Sequence, residues 1–147
     1  MYLAFYKGRG RIADRAVRMF TRGPYSHVEL VCEKPKSGAA FVALSASGRD
    51  GGVREKLIRY DSEKWDFVAL PFVSATAYAR AKSHIGARYD YRGILLSQLF
   101  HLRKHDPRKW FCSELCAMAL GFARPHTFSP VGLWGAVQAQ NKIGDGS

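Results

Sequence analysis

Several things are scarce in this sequence, and each shortage closes off a class of protein. The 147 residues contain no run of about 18 apolar residues, so no membrane-spanning helix is expected. The first residues, Met1-Tyr2-Leu3-Ala4-Phe5-Tyr6-Lys7, show no basic head before an apolar core, so no secretory signal is expected. Cysteine is sparse and odd in number: Cys32, Cys112 and Cys116. That count argues against a disulfide framework and suits a reducing compartment. Cys112 and Cys116 stand four apart, wider than the knuckles of structural zinc sites, so no metal or other cofactor is expected. There is no internal repeat and no carboxylate cluster of the kind that holds metals for nucleic-acid chemistry. Gly8-Arg9-Gly10 lacks the further glycines and the Lys-Ser/Thr ending of a phosphate loop.

Acidic residues are also few, 12 against 23 Lys and Arg, which leaves a net charge of +11. Two segments carry the excess. In residues 1–22, Lys7, Arg9, Arg11, Arg15, Arg18 and Arg22 face Asp14 alone. In residues 80–109, eight cations face Asp90 and Asp106, while 23–79 and 110–147 are each balanced. Such a surface suits an anionic partner: nucleic acid, membrane surface, cell wall or an acidic protein. It is equally compatible with a basic face that is merely solvated.

What is present reads as one globular domain. The length leaves little room for a second, so residues 1–143 are expected to form it, with 144–147 as a flexible tail. Residues 2–6 read as a strand and 12–20 as a helix, with Ile12, Ala16, Val17 and Phe20 at helical spacing. Gly23-Pro24 stops that helix. Residues 26–33 alternate like a strand and 40–46 like a second, joined as a hairpin. Residues 53–59 read as an edge strand and 65–71 as a further one. The second half is helical: 74–84, 91–102 and 112–122, separated by Gly86 and the basic loop 103–109. Ser129-Pro130 opens a last short helix, Ser as cap and Pro at the first position. Strands first and helices after predict an α+β domain with helices packed on an antiparallel sheet.

Two spots can carry chemistry. Pro24-Tyr25-Ser26-His27-Val28-Glu29-Leu30 places a His at the start of a strand, and Trp110-Phe111-Cys112-Ser113-Glu114-Leu115-Cys116 places a Cys at the start of a helix. A thiol there feels the positive end of the helix dipole, which favours thiolate. A neighbouring imidazole would complete a Cys–His pair, and the first-turn N–H groups could hold an oxyanion. These features suit acyl transfer through a thioester. The plainer reading of each is structural: a buried Cys on an apolar helix and a strand His satisfied by a neighbour. Cys32, among Val and Leu, and Cys116, one turn beyond Cys112, read as core. His84, His101, His105 and His126 read as surface positions, and Glu114 as a support for the first turn of the Cys helix.

The wording of these motifs resembles the circularly permuted branch of the NlpC-type papain-like cysteine hydrolases, a superfamily that includes lecithin:retinol acyltransferase-like proteins. Ser26-His27-Val28-Glu29-Leu30-Val31 looks like the His strand and Phe111-Cys112-Ser113-Glu114-Leu115 like the nucleophile helix. Gly86-Ala87-Arg88-Tyr89-Asp90 and Ser129-Pro130-Val131-Gly132-Leu133 match two supporting stretches, so the resemblance spans about residues 8–135. It implies a papain-like α+β fold, permuted so that the His strand precedes the Cys helix. It also implies Cys112 as nucleophile, His27 as general base and a third polar residue on the next strand, for which Ser45 is the best match. Ser45 departs from the His, Asn, Gln or acid usual there and adds no charge behind an imidazolium, which leaves Glu29 or Ser47 as other partners. Glu29 shares a strand face with His27 by alternation. Tyr25, Glu29 and Ser113 are the candidates for lining the substrate cleft.

The resulting expectation is a cysteine amidase or endopeptidase acting on peptidoglycan stem peptides, made in the cytoplasm and delivered to the envelope or carried with a phage virion. Two alternatives stand beside it: a lipid ester or amide hydrolase or acyltransferase, and a basic binding or virion-structural module on a degenerate hydrolase fold. The partners expected are peptidoglycan or another anionic wall or membrane surface, and virion or other proteins, with nucleic acid less favoured. The motifs fall in the two charge-balanced stretches, so the basic segments read as docking surface beside a cleft.

Overall fold

The computed structural model describes residues 1–8, 18, 22–71, 73, 76–90 and 108–144. The expected helices at 12–20 and 91–102, nearly all of the basic loop 103–109, and residues 145–147 of the expected tail lie outside the described residues. Within them the chain is α+β, as the order of periodicities predicts. Seven strands form one curled sheet: β1 (Tyr2–Tyr6), β2 (His27–Val31), β3 (Ala40–Ser47), β4 (Gly52–Arg59), β5 (Trp65–Ala69), β6 (Arg88–Tyr89) and β7 (Lys109–Trp110). Among the described residues three helices accompany it: α1 (Thr76–Lys82), α2 (Cys112–Ala119) and α3 (Pro130–Gly144), with a 3-10 turn at Pro125–Thr127.

The sheet runs β5-β1-β2-β3-β4-β6-β7. Every neighbouring pair is antiparallel except β6 and β7, which are parallel. The strand expected at 53–59 is no simple edge, because Gly52 at its start pairs with Arg88 of β6. The outer position on the other side belongs to β5, which pairs along β1.

Alternation along the strands divides the apolar side chains between two clusters. Leu3, Phe5, Val28, Leu30, Leu44 and Ala46 pack with Leu115, Cys116 and Ala119 of α2 and with Leu133 and Val137 of α3. Ala4, Val31, Ala43 and Tyr60 form a second cluster, bordered by Phe41, Ile58, Trp65 and Phe67. At about 1.5–3 kcal/mol per fully buried large side chain, the first and larger cluster is the main force seating α2 on the sheet.

Local signals explain the helix ends. Ser129 Oγ accepts the Gly132 N–H at 3.0 Å, with Pro130 opening α3. That helix is 15 residues long rather than short, and it includes Gly144, which the sequence reading gives to the tail. Gly86, at φ 91°, takes the left-handed conformation after α1, as its position suggests. Helix α2 stops at Ala119, short of the expected 122, and Gly121 at φ 82° turns the chain away. Arg80 Nε of α1 donates to the Ala119 carbonyl at 3.0 Å, placing a cation at that helix's negative end. No helix of the described residues is long and apolar enough to cross a membrane.

Candidate functional site

His27 is the first residue of β2 and Cys112 the first of α2. The local sequence fixes both starts. After the Gly23-Pro24 turn, the Ser26 N–H reaches the Tyr6 carbonyl at 3.0 Å and brings His27 opposite Tyr6. Phe111 is extended, and the Leu115 N–H closes the first turn of α2 on its carbonyl at 3.0 Å. Ser113 is fully buried and donates its hydroxyl to the Phe128 carbonyl at 2.7 Å, which ties that turn to the approach of α3.

These constraints bring the imidazole of His27 beside the sulfur of Cys112, near enough for the two to interact electrostatically. The ring's Nε2 lies 3.1 Å from Glu29 Oε1. Glu29 is 1% exposed, and both its oxygens are used. Oε1 also accepts from Arg54 Nη2 at 2.9 Å, and Oε2 accepts from the Tyr60 hydroxyl at 3.1 Å. Arg54 Nε in turn meets Asp50 Oδ2 at 2.8 Å, and Lys56 Nζ meets Asp50 Oδ1 at 2.7 Å. A line of alternating charge therefore runs from Cys112 through His27, Glu29, Arg54 and Asp50 to Lys56.

The electrostatics follow from this line. Burial alone would lower the pKa of His27, but the Cys112 sulfur and the Glu29 carboxylate outweigh it and hold it at about 10. For Glu29, burial works upward, yet His27 and Arg54 hold its carboxyl below the ordinary range. Arg54 loses by burial and gains more from Glu29 and Asp50, so it is held cationic more firmly than usual. Burial, then the adjacent Glu29, pushes the Tyr60 phenol upward. At neutral pH the arrangement is a protonated imidazole between a sulfur and an ionised carboxylate.

The other residues singled out from sequence fall as follows. The Ser45 hydroxyl donates to the Val28 carbonyl at 2.6 Å, so it braces the backbone of β2 between His27 and Glu29. The partner of the imidazole is Glu29. Tyr25 is buried between Phe5 and Trp134, at ring distances of 5.3 and 4.8 Å, and its hydroxyl donates to Asp66 at 2.8 Å. Cys116 is core, its thiol pushed well up by burial, then by Cys112 and Glu29. Cys32 is exposed rather than core, because β2 ends at Val31 and the chain turns out of the sheet there. It borders a cavity of about 470 Å³ with Met1, Val73, Tyr78, Ala79 and Lys82, none of them part of the charged line. His84 has a ring partner, Trp110, at 4.6 Å. Glu114 is fully buried in the first turn of α2.

Sequence reasoning missed Arg54, Asp50 and Tyr60. One signal was available for Arg54: it stands directly opposite Ser45 on the neighbouring strand. Among the described residues no three His, Cys, Asp or Glu side chains converge as a metal-ligand set. Comparison with known proteins returns no matching family model and no matching curated relative.

Proposed function

We propose that the chain is a cysteine hydrolase of the permuted papain-like kind, with Cys112 as nucleophile, His27 as its acid–base partner and Glu29 behind the imidazole. One observation carries the reading: His27 lies between the Cys112 sulfur and a buried carboxylate to which its ring is hydrogen-bonded. The order of elements supports the finer fold reading, since the strand bearing His27 precedes the helix bearing Cys112 and both pack within one α+β core.

The chemistry follows from the protonation state. The Cys112 sulfur, its proton taken by the imidazole of His27, attacks a carbonyl carbon as a thiolate. The oxyanion forms beside the first turn of α2, where Phe111 supplies no side-chain cap to the N–H groups. Collapse breaks the carbon–nitrogen bond, and the imidazolium gives its proton to the leaving amine. The thioester remains on Cys112. Water then attacks it, passing a proton to the now neutral His27, and collapse releases the carboxylic acid and restores the thiolate–imidazolium pair.

The substrate we propose is the peptide amide of peptidoglycan stems, met at a surface where the net charge of +11 favours an anionic polymer. The test is mass-spectrometric detection of released stem peptides from purified peptidoglycan, beside release of fatty acid from acyl lipids, with wild type and Cys112→Ala. Release by the wild type alone supports the reading. Equal release by both proteins removes Cys112 from the mechanism, and cleavage confined to the lipids moves the substrate to acyl esters or amides.

A further inference from the structure

The charged groups behind His27 exceed what orienting an imidazole requires. A single neutral acceptor fixes the ring; here a fully buried carboxylate does so and must itself be held. Glu29 has four groups around it: His27 on its own strand, Arg54 on β4, Tyr60 just beyond β4, and the sulfur of Cys116 on α2. Only Arg54 among them is a permanent cation. Its side chain is 16% exposed, and its guanidinium bridges Glu29 and Asp50, with Asp50 pinned by Lys56. Lysine could not make that bridge, because one ammonium lacks the planar fork that addresses two carboxylates at once.

We propose that Arg54 is a positioning residue of the Cys112–His27 pair: it locks Glu29, ionised, against the imidazole, and Asp50 and Lys56 lock Arg54. This rests on the hydrolase reading given above. Without Arg54, Glu29 is a buried carboxylate whose only remaining cation is the imidazolium. It then takes up a proton at higher pH, the imidazolium loses its support, and the Cys112 thiolate persists over a narrower range. Direct electrostatics has the same sign in Arg54→Gln, since deleting a nearby cation disfavours a thiolate, but it predicts no shift in Arg54→Lys, which keeps the charge, and a downward shift in Asp50→Asn, which removes an anion. The direction of the change in those two variants therefore separates a positioning role from simple proximity of charge.

The experiment is the rate of Cys112 alkylation by iodoacetamide, followed residue by residue by mass spectrometry across pH 4 to 10. It compares wild type, Arg54→Gln, Arg54→Lys, Asp50→Asn and His27→Ala. The expected result is that the acid edge of Cys112 reactivity moves up by about one pH unit in Arg54→Gln, a tenfold slower reaction below both edges, with rates converging above pH 9. Arg54→Lys and Asp50→Asn, which keep a cation beside Glu29 and so keep the fold if the glutamine variant loses it, shift the edge in the same direction by less. An edge that stays put or moves down in Arg54→Lys and Asp50→Asn overturns the proposal. So does a uniform slowing at all pH values, the mark of a structural role. If the wild-type Cys112 reacts only near pH 8.5 and His27→Ala leaves that unchanged, it is the hydrolase reading itself that fails.

Discussion

A histidine between a sulfur and a carboxylate holds its proton far into the alkaline range, and that has consequences at the scale of single residues. His27, at about 10 in the folded chain against an ordinary 6.5, stabilises the fold most fully below pH 6.5. That stabilisation drains away as the pH climbs towards 10. Glu29 runs the other way: its stabilisation is present above its ordinary 4.5 and is lost as the pH falls towards its lower folded value. Thermal unfolding in a buffer series should therefore show greatest stability at mildly acidic pH. His27→Gln should flatten the decline on the alkaline side, and an unchanged slope in that variant would separate His27 from the pair. Glu29→Ala removes one partner of a buried ion pair and leaves Arg54 uncompensated, a loss of about 3–5 kcal/mol measurable by denaturant unfolding. The two residues that meet here, His27 and Cys112, were legible in sequence because each stands in a short motif at the start of an element. The carboxylate behind His27 was visible only as an alternative. Alternation puts Glu29 on the right face but does not say that the hydroxyl of Ser45 goes to the Val28 carbonyl.

At the scale of elements, the site depends on where β4 and α3 are held. Gly52 begins β4, and a Cβ there would run into the Ala87 carbonyl, the acceptor of the Val53 N–H. Gly52→Ala should thus force β4 and β6 apart, destabilise the chain by about 1–3 kcal/mol, and disturb Arg54 two residues on. Chemical unfolding checks the first, and the pH edge of Cys112 alkylation the second. Ser129→Ala removes the hydroxyl cap of α3 and should cost about 1 kcal/mol in the same measurement, without moving that edge. The long elements were legible because their periodicity is sustained and their ends carry Gly, Pro or Ser. Strands β6 and β7 were not, since two residues hold no period and pairing with a distant strand is a tertiary event. The exposure of Cys32 was hidden for a related reason: the alternation runs one residue past the last ladder bond of β2.

At the scale of the whole molecule, the net charge and the site are separable. The charged line around Glu29 alternates in sign, whereas the excess of cations belongs to residues 1–22 and 80–109. Binding to purified peptidoglycan should therefore weaken between about 0.1 M and about 1 M salt, as the screening length contracts from about 10 Å to about 3 Å. Cys112 alkylation should keep its rate over that range, because buried pairs are screened little. A sedimentation assay beside the alkylation assay reads both, and a parallel fall of the two would mean that the basic surface and the site are one. The parallel pairing of β6 with β7 gives the chain a natural seam. β6 ends at Tyr89, and its parallel neighbour β7 begins at Lys109. Severed between them, the chain yields one piece with the histidine, its carboxylate and the arginine, and another with the thiol. Each piece holds one member of the His27–Cys112 pair, so reassociation of the two fragments would report itself as a return of the thiol reactivity of the uncut chain.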